Sequence, residues 1–290
     1  MEDKRITVLL PAYNEEESIH FTISRIKEVM LSTRTEHEII VINDGSTDST
    51  KDILEKEAGI VLVNNAYNLG YGASLKKGIK EAKYGLIFML DADGTYPIED
   101  MPKLMKHIDN YDMVVGARTG KNVNVPLMRR PAKFILTALA RFLTKKKIPD
   151  LNSGMRLFRK EIAMEFFHLF PSGFSFTTTI TLACLTNQYT VKFIPIDYFK
   201  RKGKSTIHPI NDFVNFNKII FKIVLYFEPS KFFLWPGSIL ILLGGLYGIY
   251  QVLMTVPRNL GQFPIMILLA GLQIVFLGLI AELVVKSRKK

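Results

Sequence analysis

The chain has 290 residues and a formal net charge of +11, enough length for one sizeable domain plus something smaller, with a basic balance that points to an anionic partner. Its single cysteine, Cys184, excludes an internal disulfide and fits a reducing compartment, where it reads as a small buried hydrophobe. Charge is frequent up to about residue 210 and sparse afterwards until "KSRKK", and no nucleic-acid motif appears, so a membrane surface or phosphorylated substrate is expected rather than nucleic acid.

Met1 is followed by four charged residues, and the next apolar run, "ITVLL" (6–10), is too short for a signal-peptide core, so nothing points to secretion. That run reads as the first strand, and "PAYNEEE" follows it. In 16–31 the apolar residues Ile19, Ile23, Ile26 and Met30 step by four, three and four, which predicts an amphipathic helix. "EIIVI" (38–42) is the second strand and ends in "NDGSTD". "IVLV" (60–63) is the third and ends in "NNAYNLGYG". Gly70 and Gly72 begin a G-x-G there, but Leu75 stands where a dinucleotide fingerprint needs its third glycine, and no Walker A lysine loop exists.

"LIFML" (86–90) is the fourth strand, and "DADGT" carries Asp91 and Asp93 to its end with only Ala92 between them. Two partly desolvated carboxylates so close raise each other's pKa and cost stability unless a cation sits between them. Glu99 and Asp100 open the next helix and read as partners of its dipole. "DMVVG" (112–116) and "VKFIPI" (191–196) are further strands, and the "TKKK" run (144–147) reads as a solvated or membrane-facing stretch. Strands alternating with helices predict an α/β domain with a mainly parallel sheet, whose ligands bind outside the carboxyl ends of the strands. Four consecutive strand ends with polar or glycine-rich turns predict a nucleotide-sized crevice.

Residues 211–227, "NDFVNFNKIIFKIVLYF", place Asn211, Asn215, Lys218 and Lys222 on one narrow stripe with phenylalanine and isoleucine around it. An amphipathic helix in the headgroup plane and a packed helix of the soluble domain both fit this pattern. Residues 232–254 contain no charge and residues 263–285 only Glu282. At about 1.5 Å per residue each can cross a hydrocarbon core of about 30 Å. Lysines flank the first segment and a basic tail follows the second, while the loop between them holds one basic residue, so the large domain and the tail are expected in the cytoplasm. Gly244 and Gly248 form a small-xxx-small pair suited to close helix packing, and Glu282 reads as a snorkelling or helix-pairing residue. The expected organisation is a domain over 1–210, an interfacial helix over 211–228 and a two-helix anchor over 229–290.

With "VLLPAYNEEESI", "VINDGSTDST", "NLGYGASLKKGI", "LDADGTYPIEDM", "VGARTG" and "DLNSGMRLFRKE" in this order, the chain resembles the family 2 glycosyltransferases of GT-A fold, and within them the polyprenyl-phosphate (dolichol-phosphate) sugar synthases. The resemblance implies a nucleotide-diphosphate sugar as donor, with a UDP-sugar favoured over GDP-mannose, and a polyprenyl phosphate as acceptor. It implies that Pro11, Ala12, Tyr13 and Glu15 cup the donor's base and ribose, that Gly70 lies on the donor side, and that Asp44 accepts hydrogen bonds from the base. Asp44 could instead bond its own backbone, as turn aspartates do, and Asp48 reads as a helix cap.

The resemblance makes Asp91 and Asp93 a D-x-D element around Mg2+ or Mn2+, hard cations that share oxygen ligands with substrate phosphates. Many relatives carry glutamine as a further ligand two residues on. Thr95 stands there here, which implies a weaker metal shell or one completed by water. A polyprenyl phosphate carries a charge of about −1.5 to −2, so cations to guide it matter more than a general base. Arg118, Arg129, Arg130, Lys133, Arg201 and Ser205 are the candidates, with Arg129 and Arg130 unranked. Asp150, Ser153 and Gly154 match an element near the reacting centre; Asp150 is expected to orient the cations or the sugar, alongside Arg118, Asp91 and Asp93 as catalytic residues, and Ser153 to meet the acceptor phosphate. A silent nucleotide-sugar-binding scaffold is the alternative from another class. A processive polysaccharide synthase is weaker, since the only tryptophan, Trp235, lies in a membrane segment and no Q-x-x-R-W element exists. The oligomeric state, a homo-oligomer included, stays open.

Overall fold

The computed structural model describes residues 5–123, 137–138, 140–142, 144–173, 175–200, 225–226, 229–254 and 261–287. Arg129, Arg130, Lys133, Arg201 and Ser205 lie outside them, as does the expected interfacial helix apart from Leu225 and Tyr226. By contact density the chain divides into two units, Met1–Pro209 and Ile210–Lys290.

The first unit is built on a seven-stranded sheet. In chain order its elements are β1 (Ile6–Ala12), α1 (Ile19–Thr33), β2 (His37–Asn43), α2 (Thr50–Glu55), β3 (Val61–Asn64), α3 (Tyr71–Glu81), β4 (Leu86–Met89), α4 (Met101–Met105), β5 (Met113–Val123), β6 (Arg156–Arg159), α5 (Lys160–Glu165), α6 (Phe176–Thr186) and β7 (Val191–Tyr198). The strand order is β3-β2-β1-β4-β6-β5-β7. The first four run parallel, as do β5 and β7, while β6 runs antiparallel between β4 and β5. The expected α/β sheet is present, and β6 is an additional reversed strand inside it.

Local chemistry accounts for the central part. β1 is buried along its whole length, as a strand covered on both faces must be, and its run is accordingly apolar. Pro11 is tolerated there because β4 pairs with β1 only as far as Leu9. Its missing N–H would point to the β4 side, beyond the last ladder bond, while the Ala12 carbonyl still accepts from the Asp44 amide at 2.8 Å on the β2 side. In α1 the four residues at helical spacing, Ile19, Ile23, Ile26 and Met30, are all fully buried against the sheet. The helix ends where Arg34 adopts the left-handed conformation and donates its amide to Leu31. On the other face α3 lies so close that a Cβ on Gly78 would fall 2.2 Å from Leu9 Cδ1 and 2.8 Å from Ile42 Cδ1.

The parallel register sets Ala12, Asn43 and Asn64 in one row, so the polar turns after β1, β2 and β3 emerge at the same edge as the turn after β4. That edge is where the crevice was expected.

The second unit is a hairpin of two long helices, α7 (Pro229–Met254) and α8 (Gln262–Ser287). Both are long and apolar enough to cross a membrane. Their outer faces expose large apolar side chains such as Leu242, Leu246, Phe276 and Leu283, a continuous surface that water does not favour. Small residues bring the helices together: a Cβ on Gly237, Gly244, Gly271 or Gly278 would press on Val275, Leu268, Ile241 or Phe233 of the opposite helix at 2.7–3.0 Å.

Candidate active site

The acid pair sits just beyond β4. The Leu90 amide donates to Leu9 at 3.1 Å, and the Ala92 carbonyl accepts from Ser18 Oγ at 2.9 Å, which ties the turn to β1 and to the start of α1. Gly94 takes a positive φ of 68°, and the chain then turns back so that the amide and hydroxyl of Thr95 both donate to Asp93 Oδ1, at 3.1 and 2.6 Å. Thr95 therefore orients Asp93 through its own hydroxyl.

Asp91 is held from two other segments. The hydroxyl of Tyr71, at the start of α3, donates to its Oδ1 at 2.7 Å. Gly154 lies directly against the carboxylate: a Cβ there would stand 2.4 Å from Oδ2 and 2.5 Å from Oδ1. The Gly154 amide donates to the Tyr96 hydroxyl at 2.6 Å, and Tyr96 meets Tyr198 edge-on with centroids 5.2 Å apart.

Burial and the charge of Asp93 push the Asp91 carboxyl up to about 6, although Tyr71, Arg118 and Arg156 act against the rise. Burial, followed by the nearby Asp91 charge, lifts the Tyr71 phenol well above its ordinary range, so it stays a donor. A cation between the two carboxylates would relieve their mutual repulsion. No group of three or more His, Cys, Asp or Glu that could hold an ion exists among the described residues. An ion at Asp91 and Asp93 would complete its shell with phosphate oxygens and water, the habit of Mg2+ and Mn2+.

Arg118 and Asp150 form the second part of the site. Arg118 grips the fully buried Asp150 with Nε at 2.7 Å and Nη2 at 3.0 Å, and its backbone amide adds a third bond at 3.1 Å. The guanidinium lies 5.0 Å from the Tyr198 ring centroid. Burial alone would lower the Arg118 pKa, but Tyr96 and Asp150 outweigh it and the group is held more firmly charged. Nη1 has no protein partner among the described residues. Asp150 was expected among the catalytic residues; it is fully buried, and its carboxylate accepts from the Arg118 side chain and backbone.

Ser153 requires a correction. It is fully buried and its hydroxyl donates to the Gly116 carbonyl at 2.5 Å, so it cannot serve an acceptor phosphate in this arrangement. Its own carbonyl accepts from Arg156 Nε at 3.1 Å and also from Nη2. Arg156 is itself fully buried and extends Nη1 to the Thr177 carbonyl at 3.0 Å and the Thr181 hydroxyl at 3.1 Å. This arginine, with Tyr71, Tyr96 and Tyr198, is a part of the site that motif reading passes over. Only the proximity of Arg156 to "DLNSG" in the chain signals it.

On the donor side, Asp44 is almost fully buried. Its Oδ1 accepts from Asn65 Nδ2 at 2.8 Å and the Leu69 amide at 3.0 Å, and its Oδ2 accepts from the Gly70 amide at 2.9 Å. The carboxylate thus holds the loop after β3 through partners 21 to 26 residues away, rather than bonding its own turn. Gly70 has φ +97°, and a Cβ there would stand 2.7 Å from the Ser172 carbonyl oxygen, so its glycine character serves a close backbone crossing. Pro11 and Ala12 are buried strand residues, and Tyr13 is half-buried at the rim. Glu15 donates its amide to Thr50 Oγ1 at 2.8 Å while Ser18 Oγ donates to its carboxylate at 3.3 Å.

Comparison with known proteins identifies the family of the chain. Residues 7–167 match the glycosyl transferase family 2 model, and residues 228–286 match the GtrB C-terminal hairpin. A dolichyl-phosphate hexose transferase of Haloferax volcanii is 28% identical over 76% of this chain and 94% of its own length. An undecaprenyl-phosphate mannosyltransferase of Micrococcus luteus is 24% identical over 68% of this chain and 85% of its own. Among solved structures, glucosyl-3-phosphoglycerate synthase of Mycobacterium tuberculosis, in complex with Mn2+ and UDP-glucose, superposes with a TM-score of 0.59 over 76% of this chain and 78% of that one; at 17% identity it shows the shared fold alone. The chain belongs to glycosyl transferase family 2, and is a GT-A glycosyltransferase that carries a GtrB-type C-terminal hairpin.

Proposed function

We propose that this glycosyltransferase moves one sugar from a nucleotide-diphosphate sugar, a UDP-sugar before GDP-mannose, to a polyprenyl phosphate at the cytoplasmic face of a membrane, with inversion at the sugar carbon. The observation that carries the reading is the strand-end acid pair, whose Asp91 is strained by burial beside Asp93 and faces a site that also contains a buried-base cation, Arg118 on Asp150. The named relatives from Haloferax and Micrococcus support the acceptor class.

In this mechanism Asp91 and Asp93 would hold Mg2+ or Mn2+, which would supply charge neutralisation for the departing nucleoside diphosphate. Thr95 and Tyr71 keep the two carboxylates aimed. A phosphate oxygen of the acceptor, already anionic, attacks the anomeric carbon; the bond from that carbon to the diphosphate breaks, and no proton has to be removed first. Asp150 keeps Arg118 charged and in place, with Nη1 turned to the acceptor oxygen. Pro11, Ala12, Tyr13, Glu15, Asp44 and Gly70 frame the donor. Arg129, Arg130, Lys133, Arg201 and Ser205 keep the acceptor-side roles that the resemblance implies. The hairpin anchors the enzyme where its lipid substrate resides.

The test uses the full chain in lipid nanodiscs with polyprenyl phosphate, a divalent ion, and a panel of labelled UDP- and GDP-sugars. Label in an extractable lipid phosphate-linked sugar, lost with Asp93→Asn, is the expected result. Donor binding with no lipid-linked product from any donor would instead favour the silent scaffold.

A further inference from the structure

From Met113 to Pro149 the sequence contains no aspartate or glutamate. The end of this stretch, Arg141–Pro149, concentrates Arg141, Lys145, Lys146 and Lys147 around a shallow hollow of about 500 Å³ that they line together with Pro149. All four cations are exposed, and none has an acidic partner among the described residues.

The loop is built, not trailing. The Lys145 amide donates to the Arg141 carbonyl at 2.8 Å, and Arg141 Nη2 donates to the Ile148 carbonyl at 3.2 Å. Lys145 is held at φ +54°, a conformation that costs a non-glycine residue free energy. Ile148 is fully buried beneath, and Asp150, two residues on, is the carboxylate that fixes Arg118. Phe142, 55% exposed, stands on the same turn. A hydrogen-bonded turn that gathers like charges with no counter-ion among the described residues gains from an external anionic surface. Each cation at such a surface contributes roughly a fivefold gain in affinity, and an exposed phenylalanine can enter the boundary of headgroup and acyl chain.

We propose that the Arg141–Pro149 loop docks on anionic phospholipid headgroups, which would tie the segment bearing Asp150 to the bilayer surface. The occupant follows from charge complementarity and from the two helices of the same chain that are long and apolar enough to cross a bilayer. The inference does not depend on which sugar is transferred, or on transfer at all.

Hydrogen–deuterium exchange of the full chain in nanodiscs tests it. In discs of phosphatidylcholine with phosphatidylglycerol, exchange at the 141–148 amides is expected to slow by roughly tenfold relative to phosphatidylcholine alone. High salt, or the triple variant Lys145→Gln, Lys146→Gln, Lys147→Gln, should erase the difference. Melting of that variant in phosphatidylcholine discs should match the unaltered chain, which separates lost docking from lost folding. Equal exchange in both lipids overturns the proposal. So does the same protection from inorganic phosphate in phosphatidylcholine discs, which would make the loop a site for soluble anions.

Discussion

Gly154 has no side chain because the Asp91 carboxylate occupies the space one would need. Gly154→Ala should therefore displace the carboxylate rather than unfold the sheet. A displacement near 1 Å at such a group costs about a hundredfold in turnover, and an Mn2+ titration followed by intrinsic fluorescence should show weakened binding in the same variant. Tyr71→Phe removes one hydrogen bond to the same carboxylate and keeps the ring. We expect about a 10- to 100-fold loss of metal affinity with an unchanged far-UV spectrum.

The raised carboxyl of Asp91 also makes a pH prediction. Unfolded, it would release its proton near pH 4; folded, it keeps it up to about 6. Over that interval the folded state binds the extra proton, so stability from this group is present at low pH and is lost as pH rises through about 6. A divalent ion competes with that proton and so binds more tightly above that value. Mn2+ should thus raise the melting temperature more at about pH 7.5 than at about pH 5, and an equal rise at both would remove Asp91 from the metal site.

At the scale of elements, the close approach of α3 to the sheet fixes where Tyr71 starts its reach. Gly78→Val would drive a side chain into Leu9 and Ile42 and should destabilise the first unit by about 1–3 kcal/mol, measured by denaturant unfolding. The main strands and α1 were legible in the sequence because buried parallel strands are short apolar runs and α1 repeats with a clear helical period. β6 was not legible. "RLFR" is four residues long, bounded by arginines, and one of these is fully buried on neutral acceptors, which local pattern does not reveal. The same limit separates motif from role. "DLNSG" was legible as an element near the reacting centre. That Asp150 faces Arg118, Ser153 faces a carbonyl and Gly154 faces Asp91 depends on contacts across dozens of residues of chain.

At the scale of the whole molecule, the fold brings charge to one sheet edge. Parallel pairing collects four polar turns, and the two acids among them stand beside an arginine kept charged by a buried aspartate. The two long apolar helices were legible from composition alone, whereas their four-glycine seam is a property of the packed pair. The most direct measurement is calorimetric titration of UDP into the full chain with and without Mn2+, repeated with Asp93→Asn. The account predicts tight binding with the ion, weak binding without it, and no gain from the ion in the variant. UDP binding of equal strength in all three would contradict it.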